Sequence, residues 1–374
     1  MAGIYIHIPF CRKACSYCNF HFSTSLKLKN ELLQSILWEL KEKQNLLTDQ
    51  MVTSVYFGGG TPSILEEGEI ELLLKTVYQN YVVDGNAEIT LEANPDDITS
   101  EKLLGWKNAG VNRLSIGIQS FREEDLVRMN RSHSSQQALA CIPLAQQAGF
   151  HNITLDLIFG FPELSHDAWE QNIQIALQLQ VPHISCYAMT VEPKTVLDHQ
   201  IKKGVMEPIN HEHSAIQYEH LMQRMVKAGY EHYEISSYAK PGFRAKHNSS
   251  YWNQVAYLGI GPSAHSYDGN QRSWNVAHNV HYIEQCQSKK LLPEIEVLSR
   301  EQKINEFIMV RLRISEGLDV VVVKSLLTIS EWTAFNETKE GFIKLAWLQE
   351  QNEVLRLTNA GKLFADHIAS SFFI

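Results

Sequence analysis

Hydrophobic positions along the chain form short β-rich runs that alternate with longer segments of helical periodicity. In the helical segment after the first run, Leu32, Ile36 and Leu40 recur every four residues, with Leu33 and Leu37 beside them. Such a stripe is typical of a helix that packs one face against a sheet. The predicted strands cover residues 3–10, 54–57, 88–91, 113–118, 152–159 and 183–191. This alternation of strands and helices predicts an α/β protein with a parallel sheet.

Parallel strands joined by helices curl into a full or partial (βα) barrel, and functional sites collect at the carboxyl ends of the strands. The unusual residues of this chain lie at five such ends: Cys11, the run from Gly58 to Gly60, the run from Glu92 to Pro95, Gln119, and the run from Gly160 to Pro162. We therefore expect these five loops to share one face of the barrel.

The composition excludes several classes of protein but does not alter the predicted fold. The 374 residues carry 33 basic and 42 acidic side chains, a formal charge of −9, which argues against a protein coated by nucleic acid. A hydrophobic fraction of 44% and a charged fraction of 20% are ordinary for a globular protein. No apolar run approaches the roughly 20 residues of a membrane span, and the start of the chain does not resemble a signal peptide. We expect a cytoplasmic protein without a transmembrane segment.

Three of the six cysteines lie within one short loop, as Cys11, Cys15 and Cys18. In a reducing compartment such crowding indicates a metal site or catalysis and not disulfides. Three thiolates can hold an iron–sulfur cubane and leave one iron open for an exchangeable ligand. A zinc site completed by His7 or His21 is the alternative that spacing alone leaves open.

The CxxxCxxC motif after the first strand, followed by GGGTP at residues 58–62, resembles the radical S-adenosylmethionine (SAM) superfamily. More narrowly, residues 5–11, 57–62, 92–95 and 115–120 resemble the oxygen-independent coproporphyrinogen III oxidase family. The resemblance covers nearly the whole chain. It implies a partial barrel of the radical SAM type over residues 1–240, an extension over residues 241–299, and a small helical or winged-helix-like domain over residues 300–374.

The resemblance also implies cofactors and their ligands. It implies a [4Fe-4S] cluster on Cys11, Cys15 and Cys18, whose open iron is chelated by S-adenosyl-L-methionine. The residues that it places around this second cofactor, or in the neighbouring pocket, are Tyr5, Tyr17, Gly59, Gly60, Thr61, Glu92, Gln119, Arg131 and Asp156. Taken singly, the glycines could form a tight turn and the carboxylates could cap helices. Their joint position at strand ends favours a shared site.

Two features depart from the oxidase itself: Phe20 stands where the oxidase carries a further cysteine, and only ten residues precede Cys11. The HemW-type branch of heme chaperones has the aromatic residue, the shorter start and an HNxxYW motif, which here runs from His247 to Trp252. We therefore expect a heme chaperone, with His247 as the heme ligand and His265 as a second candidate. No catalytic residue is assigned.

Resemblance to the HemW-type branch implies that the protein transfers heme to acceptor proteins such as respiratory enzymes. It is compatible with a homodimer. The enzymatic alternative is oxygen-independent coproporphyrinogen III dehydrogenase, which decarboxylates its substrate by radical chemistry. A third class, the radical modification of transfer RNA, is disfavoured. The net charge is negative, and the segment from Arg300 onward carries nine basic and ten acidic side chains.

Overall fold

A long sheet forms the body of the molecule in the computed structural model, which describes residues 1–47 and 50–374. Six parallel strands make its centre: β1 (Ala2–Ile8), β2 (Val52–Gly59), β3 (Val83–Ala93), β4 (Arg113–Gln119), β5 (Ile153–Phe159) and β6 (His183–Ala188). The six strands that the sequence predicts are confirmed. The last ends at Ala188, three residues earlier than expected, and the chain then leaves the sheet.

Shorter strands extend the sheet on both sides. They are β7 (Glu231–Glu234), β8 (Ser237–Ala239), β9 (Tyr257–Ile260), β10 (His265–Tyr267), β11 (Gln271–Trp274) and β12 (Glu294–Val297). Within the described ranges the sheet has 12 strands in the order β12-β11-β10-β9-β1-β2-β3-β4-β5-β6-β8-β7. Strand β9 is parallel to β1, whereas β8 is antiparallel to β6. The central strands and β9 thus form a parallel partial barrel, and the strands beyond them on both sides pair antiparallel.

Helices cover the outer face of the parallel strands. Those of the barrel and its extension are α1 (Lys29–Glu42), α2 (Glu67–Asn80), α3 (Ser100–Ala109), α4 (Glu123–Arg128), α5 (Ser135–Gln147), α6 (His166–Gln178), α7 (Val196–Lys202), α8 (His211–Lys227), α9 (Lys246–Trp252) and α10 (Asn279–Gln287). Short 3-10 helices occupy Gln44–Leu47, Pro62–Ile64 and Pro95–Asp97. The predicted stripe of α1, from Leu32 to Leu40, is buried as expected.

Local sequence explains where these elements begin and how deeply they lie. Ser134 and Gln137 form a reciprocal capping box at the start of α5, and Thr99 caps α3. Strand β1 is buried at every position except Tyr5, as expected for a parallel strand covered on both faces. No helix in the described residues is long and apolar enough to cross a membrane.

The C-terminal segment forms a second hydrophobic cluster around Ile308, Leu318, Val323, Leu355 and Ile368. It contains α11 (Arg300–Leu312), α12 (Val320–Leu326), α13 (Ile329–Lys344), α14 (Asn359–Lys362), α15 (Ala365–Ser370) and the strands β13 (Leu318–Asp319), β14 (Leu348–Gln351) and β15 (Val354–Leu357). The strands pair in the order β13-β15-β14. The predicted fold class, a parallel α/β partial barrel with a small C-terminal helical domain, is confirmed.

Candidate functional site

The loop with the three cysteines leaves the carboxyl end of β1 and is held against the barrel at several points. The Cys11 amide donates to the Ser23 carbonyl at 3.0 Å, and the Ser16 amide donates to the Met129 carbonyl at 3.0 Å. The Arg12 guanidinium donates to the carboxylate of buried Asp97 at 2.6 Å. These contacts tie the loop to two distant segments, so the thiols are positioned by the fold and not by the loop alone.

Polar side chains that follow β2, β3 and α4 lie beside two of the thiols. The Thr61 hydroxyl donates to the Cys11 Sγ at 3.4 Å, and the Arg131 guanidinium donates to the Cys15 Sγ at 3.3 Å. Arg131 also donates to the Asn94 side-chain oxygen at 2.8 Å and lies 3.5 Å from the Tyr17 hydroxyl. This set joins Cys11, Thr61, Asn94, Arg131 and Cys15 into one continuous polar cluster.

The glycine-rich turn after β2 is shaped for close approach. Gly59 has φ +111°, a conformation that L side chains rarely adopt, and a Cβ there would lie 2.6 Å from the His7 ring. A Cβ on Gly60 would lie 2.6 Å from the Phe10 carbonyl oxygen and 3.0 Å from the Cys11 Sγ. Only glycine lets this backbone pass so close to the cysteine loop.

Two carboxyl groups lie inside the barrel beside this turn. Glu92, in the last part of β3, accepts from the Tyr56 hydroxyl at 2.8 Å, and Asp156 of β5 accepts from Ser115 at 3.2 Å. Burial raises the pKa of Glu92 from 4.5 to about 7, and the nearby Asp156 carboxyl adds to the rise. Burial likewise raises the pKa of Asp156 from 3.8 to about 6. Such groups are stabilised by a ligand that brings cations or hydrogen-bond donors.

Replacement of Glu92 by Gln is expected to flatten the pH dependence of stability. The folded carboxyl keeps its proton up to about pH 7, whereas the unfolded one releases it near 4.5, so wild-type stability falls as pH rises through this window. Between pH 5 and pH 8, we expect the free energy of unfolding of the variant to fall by about 1–3 kcal/mol less than that of the wild type. Urea unfolding of cofactor-free protein at both pH values measures this difference.

The matched control for that measurement is Glu71→Gln, which changes an exposed carboxyl on α2. It is expected to keep the wild-type pH dependence. A Glu92→Gln protein with the wild-type slope would contradict the prediction.

The remaining predicted residues lie around the same mouth. Tyr5 is half-buried, and its hydroxyl bonds to the His7 Nδ1 at 3.2 Å. A Cβ built on Gly58 would lie 2.8 Å from the Tyr5 ring and 3.1 Å from Glu92, so the two side chains are close together. Gln119 ends β4 with φ +64°, and its amide nitrogen lies next to Gly117.

The residues present fit a cluster and a polar cofactor beside it. The Arg131 Nε is buried, and it has no hydrogen-bond partner among the residues that the structure describes. Three thiols share one loop, while an unpartnered guanidinium N–H, two carboxyls and a glycine turn lie beside it. This donor set suits iron, sulfide and a ligand with ammonium, carboxylate and hydroxyl groups.

The zinc alternative is not supported by the geometry of its proposed fourth ligands. Both ring nitrogens of His7 are engaged, by the Tyr5 hydroxyl and by the His21 carbonyl at 3.0 Å. The His21 Nε2 bonds to the Asn279 side chain at 2.7 Å.

His247 lies deeper in the barrel, next to Gly3 near the amino end of β1, and its ring is 6.4 Å from the Tyr5 ring. Its Nδ1 bonds to the Ser54 hydroxyl at 2.8 Å and its Nε2 to the Tyr251 hydroxyl at 2.9 Å. The residue is 2% exposed, and its ring stacks on Tyr56 at a centroid distance of 4.9 Å. Both ring nitrogens therefore have hydroxyl partners in this fold, and His247 as the heme ligand stays a prediction.

The helix that carries His247, α9, closes the barrel at this end. The Glu88 carboxylate accepts from the backbone amides of Lys246 and His247, each at 3.0 Å. Arg113, which is 1% exposed, lies 3.7 Å from Glu88 and donates to Thr154. A network of buried polar groups therefore holds the HNxxYW motif inside the barrel.

His265, the second candidate, is exposed on β10 and stacks on Trp274 at 5.4 Å. Its loop lies near the barrel mouth, since a Cβ on Gly261 would lie 2.6 Å from the His7 carbonyl oxygen. Sequence reasoning missed the roles of Asn94 and of the Arg12–Asp97 pair. Asn94 belongs to the run from Glu92 to Pro95 at the end of β3, and this position is the only sequence signal that indicated it.

Comparisons with known proteins agree with this architecture. The family model for the radical SAM superfamily matches residues 5–176, and the model for the HemN C-terminal domain matches residues 298–364. A protein of Bacillus subtilis (strain 168) named "Heme chaperone HemW" is 32% identical over 100% of this chain and 99% of its own length. One of Escherichia coli (strain K12) with the same name is 33% identical over 99% and 97%.

A solved structure shows the same fold at lower sequence identity. It is that of coproporphyrinogen III oxidase (HemN) from Escherichia coli, described as a radical SAM enzyme. It matches with a TM-score of 0.86 over 100% of this chain and 90% of its own, at 21% identity. At that identity the likeness extends to the fold alone.

Proposed function

Because the chain belongs to the HemW family of the radical SAM superfamily, we propose that it is a heme chaperone, which binds heme and transfers it to acceptor proteins. The observation that carries this proposal is the match to proteins named as heme chaperones, at 32% and 33% identity over essentially the full length of each chain. The radical SAM scaffold extends through the region of the cysteine loop and the strand ends.

Membership of the radical SAM superfamily implies a [4Fe-4S] cluster and SAM as cofactors. We propose Cys11, Cys15 and Cys18 as the cluster ligands, with Thr61 and Arg131 donating hydrogen bonds to two of the sulfur atoms. When bound, the cluster and SAM would supply one-electron chemistry. The chain's own part is to orient the cofactor and to exclude water.

The SAM site that we propose is the mouth beside the cysteine loop. Its residues are Tyr5, Tyr17, Gly59, Gly60, Thr61, Glu92, Gln119, Arg131 and Asp156. The glycine turn leaves room for close backbone approach, and the two buried carboxyls favour a cationic or donor-rich ligand. Arg131 contributes an unpartnered N–H to the same place.

The finer parts of the proposal concern cell location and partners. We propose a cytoplasmic protein that delivers heme to respiratory enzymes and that can form a homodimer. Release of heme is expected to respond to the state of the cluster or of SAM. Unchanged transfer after removal of the cluster would contradict that dependence.

Anaerobic hemin titration followed by a transfer assay tests the proposal. Cluster-reconstituted protein is expected to bind hemin saturably in absorbance and then to load the apo-form of a heme acceptor, more slowly when held behind a dialysis membrane. The comparison with and without the dialysis membrane distinguishes direct transfer of heme between the two proteins from diffusion of free heme. No saturable hemin binding would overturn the proposal.

The second candidate is coproporphyrinogen III dehydrogenase, because residues 298–364 match the HemN C-terminal domain and the HemN of Escherichia coli is a coproporphyrinogen III oxidase. Phe20, where that family carries a further cysteine, is 69% exposed and offers no thiol to a substrate. Anaerobic incubation with coproporphyrinogen III, SAM and a reductant, followed by product analysis, separates the two functions. Decarboxylated product would favour the enzyme.

A further inference from the structure

We propose that heme binds in a cavity between the barrel and the C-terminal domain, with His211 or His367 on the iron and with Lys362 and Arg313 on the propionates. This inference rests on the proposed heme-chaperone function. The cavity has a volume of about 600 Å³. That size falls within the range of about 300–1,000 Å³ typical of cofactor and small-molecule sites.

The cavity lies on the helix side of the sheet, away from the cysteine loop. Phe159 of β5 lines it and stacks on Tyr218 of α8 at 5.7 Å. Asp156 is three residues earlier on the same strand, so its side chain points to the opposite face, into the barrel. Heme here would therefore not compete with a cofactor bound at the barrel mouth.

The walls suit the flat apolar face of a porphyrin. Phe159 and Tyr218 line the barrel side, and Leu363 and Phe364 line the side of the C-terminal domain. Phe364 is 42% exposed although it is large and apolar. Aromatic and aliphatic side chains at such a cavity gain contact area when a macrocycle covers them.

Two imidazoles at this cavity are free to bind iron. His211 begins α8 and His367 lies in α15; both are exposed, and both line the cavity. In the described part of the chain, neither ring makes a hydrogen bond. Neutral imidazole is a standard axial ligand of heme iron. His247 contrasts with both, because its two nitrogens are already bonded.

Two cations stand where the cavity meets a more polar one of about 370 Å³. Arg313 and Lys362 line both spaces. The Lys362 amine bonds to the His232 Nδ1 at 2.9 Å and the Asn359 oxygen at 3.4 Å, and among the described residues it has no carboxylate partner. Burial lowers its pKa to about 8. The Arg313 guanidinium is already paired with the Asp366 carboxylate, which also lines the cavity, so a propionate would supply the missing anion to Lys362 and a second carboxylate to Arg313.

The HNxxYW motif contacts a residue that lines this cavity. The Arg313 guanidinium lies 5.8 Å from the centre of the Trp252 ring, the last residue of the motif. Arg311 donates to the adjacent Asn253 side chain at 3.1 Å. The motif would thus act on heme by positioning Arg313, whereas His247 keeps the barrel closed.

Parallel titrations of the full chain with hemin and with iron-free protoporphyrin IX test the site. The His211→Ala/His367→Ala double variant is expected to shift the Soret band and weaken hemin binding at least tenfold, with protoporphyrin binding unchanged. Ala188→Trp, which fills the cavity from an exposed position, and Lys362→Met are expected to weaken both ligands at least threefold. Each single histidine variant then identifies the ligand.

Matched controls are His151→Ala and Lys344→Met, which change exposed side chains that do not line the cavity. They are expected to bind both ligands as the wild type does, and circular dichroism verifies that each variant is folded. Wild-type hemin binding by the double histidine variant, with loss only in His247→Ala, would overturn this site and leave the chaperone function standing. A wild-type chain that binds no hemin would instead overturn the proposed function.

Discussion

Anaerobic reconstitution of the Cys15→Ala variant with iron and sulfide is expected to give protein without the broad visible absorption of an iron–sulfur cluster. A cubane needs protein ligands on at least three of its irons to stay bound, and the proposed site has three thiols in one loop. Removal of Cys15 leaves two thiols and takes away the acceptor of an Arg131 hydrogen bond. Iron and acid-labile sulfide per chain measure the loss.

The same variant is expected to stay folded. Cys15 is only partly buried, its loop lies outside the regular elements, and its side-chain partner is one guanidinium at 3.3 Å. Loss of a single such contact costs about 0.5–1.5 kcal/mol. Circular dichroism and the melting temperature of the cofactor-free protein verify this.

The control is Cys141→Ala, which removes a buried thiol in the middle of α5. That thiol donates to the Ala138 carbonyl at 3.3 Å and lies among apolar side chains, so its removal should leave the iron content unchanged. Full iron content in Cys15→Ala, or its loss in Cys141→Ala, would contradict the proposed ligand set.

The centre of the fold could be predicted from the sequence because its signals are local. Each parallel strand contains a short run rich in apolar and β-branched residues, and the stripe from Leu32 to Leu40 has a clear helical period. The flanking strands gave no such signal. Strand β10 has three residues and β12 is largely exposed, so neither carries a period that marks it as part of the main sheet.

The sequence predicts where the loops of the site lie, but it does not predict which side chains contact each other there. Strand ends located the cysteines and the glycine turn, because chain order fixes where parallel strands end. The contact of Arg131 with Cys15 joins residues 116 positions apart, and nothing local encodes it. His247 combines both cases. Its Nδ1 bonds to the Ser54 hydroxyl, 193 positions away in the chain, whereas its Nε2 bonds to the hydroxyl of Tyr251, four residues later on the same helix.

Replacement of Glu39 by Ala is expected to destabilise the protein by about 3–5 kcal/mol. This fully buried carboxylate of α1 accepts from the Gly261 amide at 2.7 Å, the Asn275 side chain at 2.7 Å and the Tyr282 hydroxyl at 2.5 Å. It also pairs with Lys43 at 2.6 Å. One side chain thus holds the extension that carries β9 to β12 against the barrel. Its loss removes the acceptor of three buried donors and the ion-pair partner of the less buried Lys43.

Urea unfolding followed by tryptophan fluorescence measures this loss, and Glu42→Ala, an exposed carboxyl near the end of the same helix, is the control. The control is expected to stay within about 0.5 kcal/mol of the wild type. Adding Lys43→Met to Glu39→Ala should recover part of the stability, because it removes a cation that is 13% exposed and no longer paired. A loss below about 1 kcal/mol in Glu39→Ala would show that water replaces the carboxylate, and the extension would then be held by its strand pairing with β1 alone.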